Sequence, residues 1–198
     1  MTAQKKSEIR KALQEAAIQI IAKHGLERVT TKELKIQANV GNEAYIYRVF
    51  ANKQDLIATT FDMLDHELMR GISINLDIMR DESLSLDERC LLIFNALWKF
   101  LLVCPDRCMC FMQYYYSPLF VRYSAERHRE LYEPVVERFG RVFKQGTDVW
   151  RMLNYILDIM LTMSIKVFRG EIENTPEFER EVFESIYRSL QPYLTWSK

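Results

Sequence analysis

Glycine and proline are scarce in this sequence, 6 and 5 among 198 residues, and no Ser/Pro-rich linker or low-complexity tract occurs. No internal repeat, alternating apolar run or hairpin dipeptide is found, so no strand is expected. Long hydrophobic runs are missing as well. The most apolar stretch, Tyr155–Phe168, is interrupted by Asp158 and Lys166, and nothing approaches the roughly 20 apolar residues that span a bilayer. No apolar segment follows the first lysines. The protein is therefore expected to lack a secretory leader, to have no membrane partner and to work in the cytoplasm.

Catalytic and metal-binding patterns are equally absent. The residues three before His24, His66 and His128 are Ile21, Met63 and Ala125, so no E-x-x-H pair exists for a di-iron bundle. Neither H-E-x-x-H, G-x-S-x-G, a phosphate-binding loop nor G-x-G-x-x-G occurs. Cys104, Cys108 and Cys110 crowd into CPDRCMC, with Cys90 apart, but no second CxxC or spaced His pair completes a zinc site. Reduced thiols packed as small hydrophobes are the expected state. An enzyme, a metal and a cofactor are all unexpected.

What is present is helical periodicity and an uneven charge. Residues 1–55 hold ten Lys/Arg and six Asp/Glu, a net +4, while the remainder carries −4. A basic head on an acidic body suits a DNA-reading domain joined to one that does not touch DNA. Ile9, Leu13, Ala16, Ala17, Ile20 and Ile21 line one face of a first helix over about 7–24, which Gly25 stops. Thr30-Thr31-Lys32-Glu33 reads as a capping box opening a short second helix that ends near Gln37. Asn42 is expected to cap a third helix reaching about Phe50, and Asn52 a fourth from Lys53 to about Ile78. Three short helices, the second and third joined by a tight Gly-containing turn, form a helix-turn-helix arrangement.

Helices are also expected from Ser85 to Cys104 and from Pro105 to Ser117. A charged helix over 124–144 is expected to be kinked or divided by Pro134, and two more run over 148–169 and from Thr175. The fold expected is all-α with about nine helices: a helix-turn-helix domain over 1–52 and a helical bundle over 53–198, linked by the helix from Lys53.

Residues 30–53, TTKELKIQANVGNEAYIYRVFANK, resemble the DNA-binding signature of the TetR family of bacterial regulators. Ala38-Asn39-Val40 corresponds to the family's A-G-V turn, Ile46-Tyr47-Arg48-Val49-Phe50 to the end of its recognition helix, and Asn52-Lys53 to the start of helix four. Ala16-Ala17 and Gly25 also fall in family positions. One departure stands out: Gly41-Asn42 fills a place where the family has one residue, commonly Ser. Gly41, tolerant of positive φ, is expected to absorb the extra residue.

The resemblance implies Lys53 and Tyr47 as phosphate contacts. Thr31 and Lys32, in the first turn of helix two, are further candidates. Asn42, Ala44, Tyr45 and Arg48 lie where base edges would be met. Arg48 suits either a guanine or a phosphate, and Ala44 and Tyr45 suit thymine methyls.

Nine aromatics between Phe94 and Tyr123 read either as core or as the wall of a site for an apolar or aromatic small molecule. Trp98, Phe111, Met112 and Tyr115 are the candidates there. On the 148–169 helix, Arg151, Asn154, Asp158 and Thr162 form a polar stripe. Asn154 and Asp158 are either ligand groups or partners of Arg151 or of a second subunit. The architecture the resemblance implies is a homodimer through the last two helices. The function expected is a ligand-responsive regulator, a repressor binding a pseudo-palindromic operator and released by its effector. A helical adaptor or small-molecule binder without operator binding is the alternative.

Overall fold

Residues 2–195 are described by the computed structural model. Ten α-helices run through them: α1 Ala3–His24, α2 Thr31–Gln37, α3 Ala44–Val49, α4 Lys53–Asn75, α5 Leu86–Val103, α6 Pro105–Tyr115, α7 Pro118–Tyr123, α8 Ala125–Gly140, α9 Val149–Phe168 and α10 Pro176–Leu190. No strand forms among the described residues beyond one isolated bridge between Phe143 and Leu194. The fold is all-α, as the periodicity requires.

Helix ends fall where side chains satisfy the end groups. Thr30 Oγ1 accepts from Glu33 N at 3.1 Å, Asp148 Oδ1 from Arg151 N at 3.0 Å, and Thr175 Oγ1 from Phe178 N at 3.2 Å. Ser85 Oγ and Ser85 N donate to Glu88 Oε2 at 2.6 and 2.8 Å, and these hydrogen bonds lower the Glu88 carboxyl from its ordinary value. Gly25, at φ +87°, closes α1 by donating its N–H to Ile21 O.

The expected count of about nine helices is close to the ten that form among the described residues; the additional one is α7, which Pro118 opens, its fixed φ suiting a first turn. Three expectations are corrected. Pro134 does not divide α8. Pro134 and Glu130 are both exposed, so the carbonyl left without a donor faces water. α4 ends at Asn75 and passes into a 3-10 turn, Leu76–Arg80. The left-handed residue of the turn after α2 is Asn39, at φ +51°, not Gly41. Asparagine tolerates this conformation.

The described chain divides into two compact units. The first runs to His66 and takes in Asp106–His128, so α1, α2, α3 and the first part of α4 share it with most of α6, with α7 and the start of α8. Its core holds Leu13, Ala16, Ala17 and Ile21 of α1, Leu34 of α2, Ile46 and Val49 of α3, Leu56, Ile57 and Phe61 of α4, and Phe111 and Tyr114 of α6. Small residues at 16 and 17 let α2 and α3 lie close against α1. An ion pair between Arg107 and Glu15 joins α6 to α1.

The second unit takes in Glu67–Pro105 and the described residues from Arg129 onward. Met69, Leu76, Tyr132 and Val135 form one core cluster there, with Trp150 and Leu153 of α9 packed against it. α5, α9 and α10 pack on one another. Gly71 lies so near Phe100 that an added Cβ would meet its ring at 3.2 Å.

Candidate nucleic-acid interface

In α3 the buried residues are Ile46 and Val49, which with Phe50 face the core of the first unit. Three and four residues apart lie neighbours on a helix face. Ala44, Tyr47 and Arg48 therefore share the opposite side, and all three are exposed, Tyr47 at 59%. Tyr45 is half-buried and the Arg48 guanidinium lies over its ring, 5.3 Å from the centroid. This contact orients the guanidinium before any ligand arrives.

Asn42 shapes the entry to α3 differently from a regular cap. Its Oδ1 accepts from Ala44 N at 2.9 Å and its carbonyl from Tyr45 N at 3.1 Å. The chain thus spends Gly41, Asn42 and Glu43 on a turn, and regular helix begins at Ala44 rather than Asn42. The side chain of Asn42 is exposed. At the start of α2, Lys32 is exposed and Thr31 half-buried. At the start of α4, Asn52 Oδ1 accepts from Asp55 N and Asp55 Oδ2 from Ala51 N, both at 2.8 Å. This reciprocal cap fixes the turn in which half-buried Lys53 stands.

Two residues of this head had not been singled out. Ile36 of α2 is 66% exposed, a large apolar side chain left on the surface. Its place in the helical period hinted at it. Arg10 of α1 donates from Nη2 to the Val49 carbonyl at 2.9 Å and lies 4.5 Å from the Phe50 ring centroid. The two residues it joins are 39 apart in the chain, and no local pattern signals such a contact.

The ligand candidates divide between the units. Phe111, Met112 and Tyr115 lie in the first. There Phe61 is ringed by Phe111 at 5.0 Å, Tyr114 at 4.7 Å and Phe120 at 5.4 Å, with Tyr115 4.7 Å from Phe120. His128 sits beside Tyr115 and Phe120, 5.4 Å from each, and bonds through Nδ1 to Asp65 Oδ2 at 2.7 Å. That pair is almost wholly buried, with side chains 2% and 3% exposed. Asp65 Oδ1 has no hydrogen-bond partner among the described residues. Tyr114 shares a bond with Ser124 Oγ at 3.0 Å, and burial raises its phenol.

Trp98, Asn154 and Asp158 lie in the second unit. Trp98 stacks on Phe94 at 5.7 Å, meets Phe178 edge-on at 6.2 Å, and donates from Nε1 to Asn174 Oδ1 at 3.1 Å. Asn154 turns its Nδ2 back to the Trp150 carbonyl of its own helix at 2.8 Å, and Asp158 is half-buried. Burial pushes the Cys90 thiol to about 11 and those of Cys108 and Cys110 to about 12. No group of three metal-ligating side chains occurs among the described residues, and no described helix is long and apolar enough to cross a membrane.

A three-helix head whose short third helix turns aromatic and guanidinium groups outward is the head of a helix-turn-helix DNA-binding protein. Residues 13–60 match the family described as bacterial regulatory proteins, tetR family. The fold of the described residues has solved neighbours. It is similar to a TetR family transcription regulator from Marinobacter aquaeolei VT8, at TM-score 0.71 and 17% identity, with 94% of this chain and 97% of that one covered. It is similar to the fatty acid degradation regulator FadR from Bacillus halodurans, at TM-score 0.67 and 16% identity over 90% and 94% of the two chains. FadR from Bacillus subtilis, solved in complex with stearoyl-CoA, aligns at TM-score 0.66 and 18% identity over 89% and 96%. No curated protein sequence matches this one.

Proposed function

We propose that this protein is a ligand-responsive repressor that acts in the cytoplasm, binds a pseudo-palindromic operator as a homodimer and leaves it when a small molecule binds. Residues 1–52 are the DNA-binding domain and 53–198 the sensing and dimerising one, with no catalytic role in either. The observation that carries this reading is the exposed face of α3, where Ala44, Tyr47 and Arg48 stand opposite the buried Ile46 and Val49. Tyr45, Arg48, Ala44 and Asn42 meet base edges, while Thr31, Lys32, Tyr47 and Lys53 meet phosphates. Recognition helices of the dimer then sit about 34–36 Å apart, one turn of DNA.

Dimerisation is supported by α9, which is apolar on more than the face its own unit covers. Met152, Leu157, Met160, Leu161 and Ile165 are buried, while Ile156, Ile159 and Met163 are only half-buried. A helix so apolar needs cover on a second side. An effector with a large apolar or aromatic part suits the candidates of each unit taken separately: Phe111, Met112 and Tyr115 in the first, and Trp98, Asn154 and Asp158 in the second. Bacillus subtilis FadR, a neighbour in fold, was solved in complex with stearoyl-CoA, a molecule with a large apolar part.

Selection from random duplex DNA at low salt tests the reading. A palindromic site is expected. Lys53→Ala should weaken all sequences alike and lower the salt slope by about 1, whereas Arg48→Ala should cost about 1–3 kcal/mol at a single base position. If no site emerges, operator binding is wrong and the helical adaptor takes its place.

A further inference from the structure

We propose that Arg10 positions the recognition helix, clamping its C-terminal end so that Tyr45 and Arg48 keep one orientation toward DNA. The proposal rests on the reading of α3 as the base-reading helix.

α3 has only six residues. A helix that short does not hold itself, because nucleation consumes nearly all the bonds it can form. Its ends must be secured from outside. At the entry, Asn42 Oδ1 takes the Ala44 N–H. At the exit the chain turns to extended backbone at Phe50, φ −126° and ψ 146°. Phe50 N reaches back to Ile46 O at 2.8 Å, but the Val49 carbonyl has no helical donor following it. Arg10 supplies that donor at 2.9 Å.

The guanidinium is itself fixed. It lies over the Phe50 ring, and Phe50 is buried, so the stack rests on a packed side chain. One turn further along α1, buried Gln14 donates to the Thr59 carbonyl of α4 at 3.3 Å. Thus α1 grips the end of α3 and the body of α4 from a single face. Arg48 is the residue before the clamped carbonyl, so loosening the clamp frees the turn that carries it. A lysine at position 10 can donate one bond but cannot stack flat on the ring.

The test compares wild type, Arg10→Lys and Arg10→Ala on the selected operator and on a scrambled duplex. For Arg10→Ala, operator affinity is expected to fall about tenfold and scrambled-duplex affinity by less than about twofold, with an unchanged salt slope. Arg10→Lys falls between. A salt slope lower by about 1, with both duplexes weakened equally, would make Arg10 a phosphate ligand and overturn the proposal. Unchanged discrimination would overturn it too.

Amide exchange of the free protein gives a readout that needs no DNA. The Phe50 amide, bonded to Ile46 O, should exchange about tenfold faster in Arg10→Ala while Ala17 and Ile21 in α1 are unaffected. Uniform acceleration, or none, rejects the clamp. A wild type that selects no duplex sinks the operator reading alone, since exchange still judges the clamp.

Discussion

The aromatic run from Phe94 to Tyr123 looks like one wall in the sequence and becomes two clusters in the structure. Around Phe61 in the first unit, rings enclose polar groups: the Asp65–His128 pair and the Tyr114–Ser124 bond. Around Trp98 in the second, Phe94, Phe178 and Phe183 make an apolar stack with a polar handle in the Trp98 bond to Asn174. Both contain aromatic side chains on helices at similar spacing, yet they rest on different forces. The first depends on mutual satisfaction of buried polar groups, so one loss strands its partner. The second depends mainly on apolar area and tolerates loss of its handle.

The comparison is broken most sharply at the hydrogen-bonded Asp65–His128 pair. Asp65 and His128 are nearly free of solvent contact, and Asp65 already has one oxygen unpartnered. Removing His128 leaves the other oxygen stranded as well. Denaturant unfolding of His128→Leu is expected to show a loss of about 3–5 kcal/mol. The double substitution Asp65→Leu/His128→Leu should recover most of that loss, because no buried carboxyl remains to be satisfied. A single substitution costing under about 1 kcal/mol would contradict the claim that polar satisfaction holds this cluster together.

The second cluster should respond more mildly. Trp98→Phe keeps the stack on Phe94 and removes only the Nε1–H bond and part of the ring. Thermal and denaturant unfolding should show a loss of about 1–2 kcal/mol. Because Asn174 is exposed and also donates to Glu179 Oε1 at 2.9 Å, its freed oxygen can turn to water. Trp98→Phe and Asn174→Ala should therefore couple by no more than about 1 kcal/mol in a double-mutant cycle. A larger coupling would mean that the two clusters do not differ in kind.

What could be read in advance follows the range of the interactions involved. Helix starts at Thr30, Ser85 and Thr175 depend on residues three positions away, and they fall where the capping pattern puts them. The all-α fold follows from the same short periods. Exposed Arg48 and Tyr47 against buried Ile46 and Val49 are also a matter of local spacing. The turn departs from the pattern because Asn39, not Gly41, adopts positive φ. A Cβ at Gly41 would meet nothing within 4 Å. Contacts between distant segments left no trace: Arg10 with Val49, Asp65 with His128, and Trp98 with Asn174. The division of the aromatic wall belongs with these, since ring neighbours such as Phe61 and Phe178 lie far outside the run that suggested it.

The smallest effect separates the clusters without disturbing either. Cysteine thiolates, not thiols, react with alkylating reagents. Burial raises Cys90 from 9.0 to about 11 and Cys108 and Cys110 from 9.0 to about 12. Raising a thiol's pKa lowers its thiolate fraction at every pH below that value, by roughly 100-fold for a shift of two and 1,000-fold for three. Exposed Cys104 should therefore label first in the native protein at neutral pH, with stability unchanged. As pH rises toward 11, Cys90, only half-buried on α5, should join before the two buried thiols of α6. Mass spectrometry after timed alkylation reads this order. Early labelling of Cys108 or Cys110 would show that α6 opens readily, and the polar-bearing cluster built against that helix would then be the looser of the two.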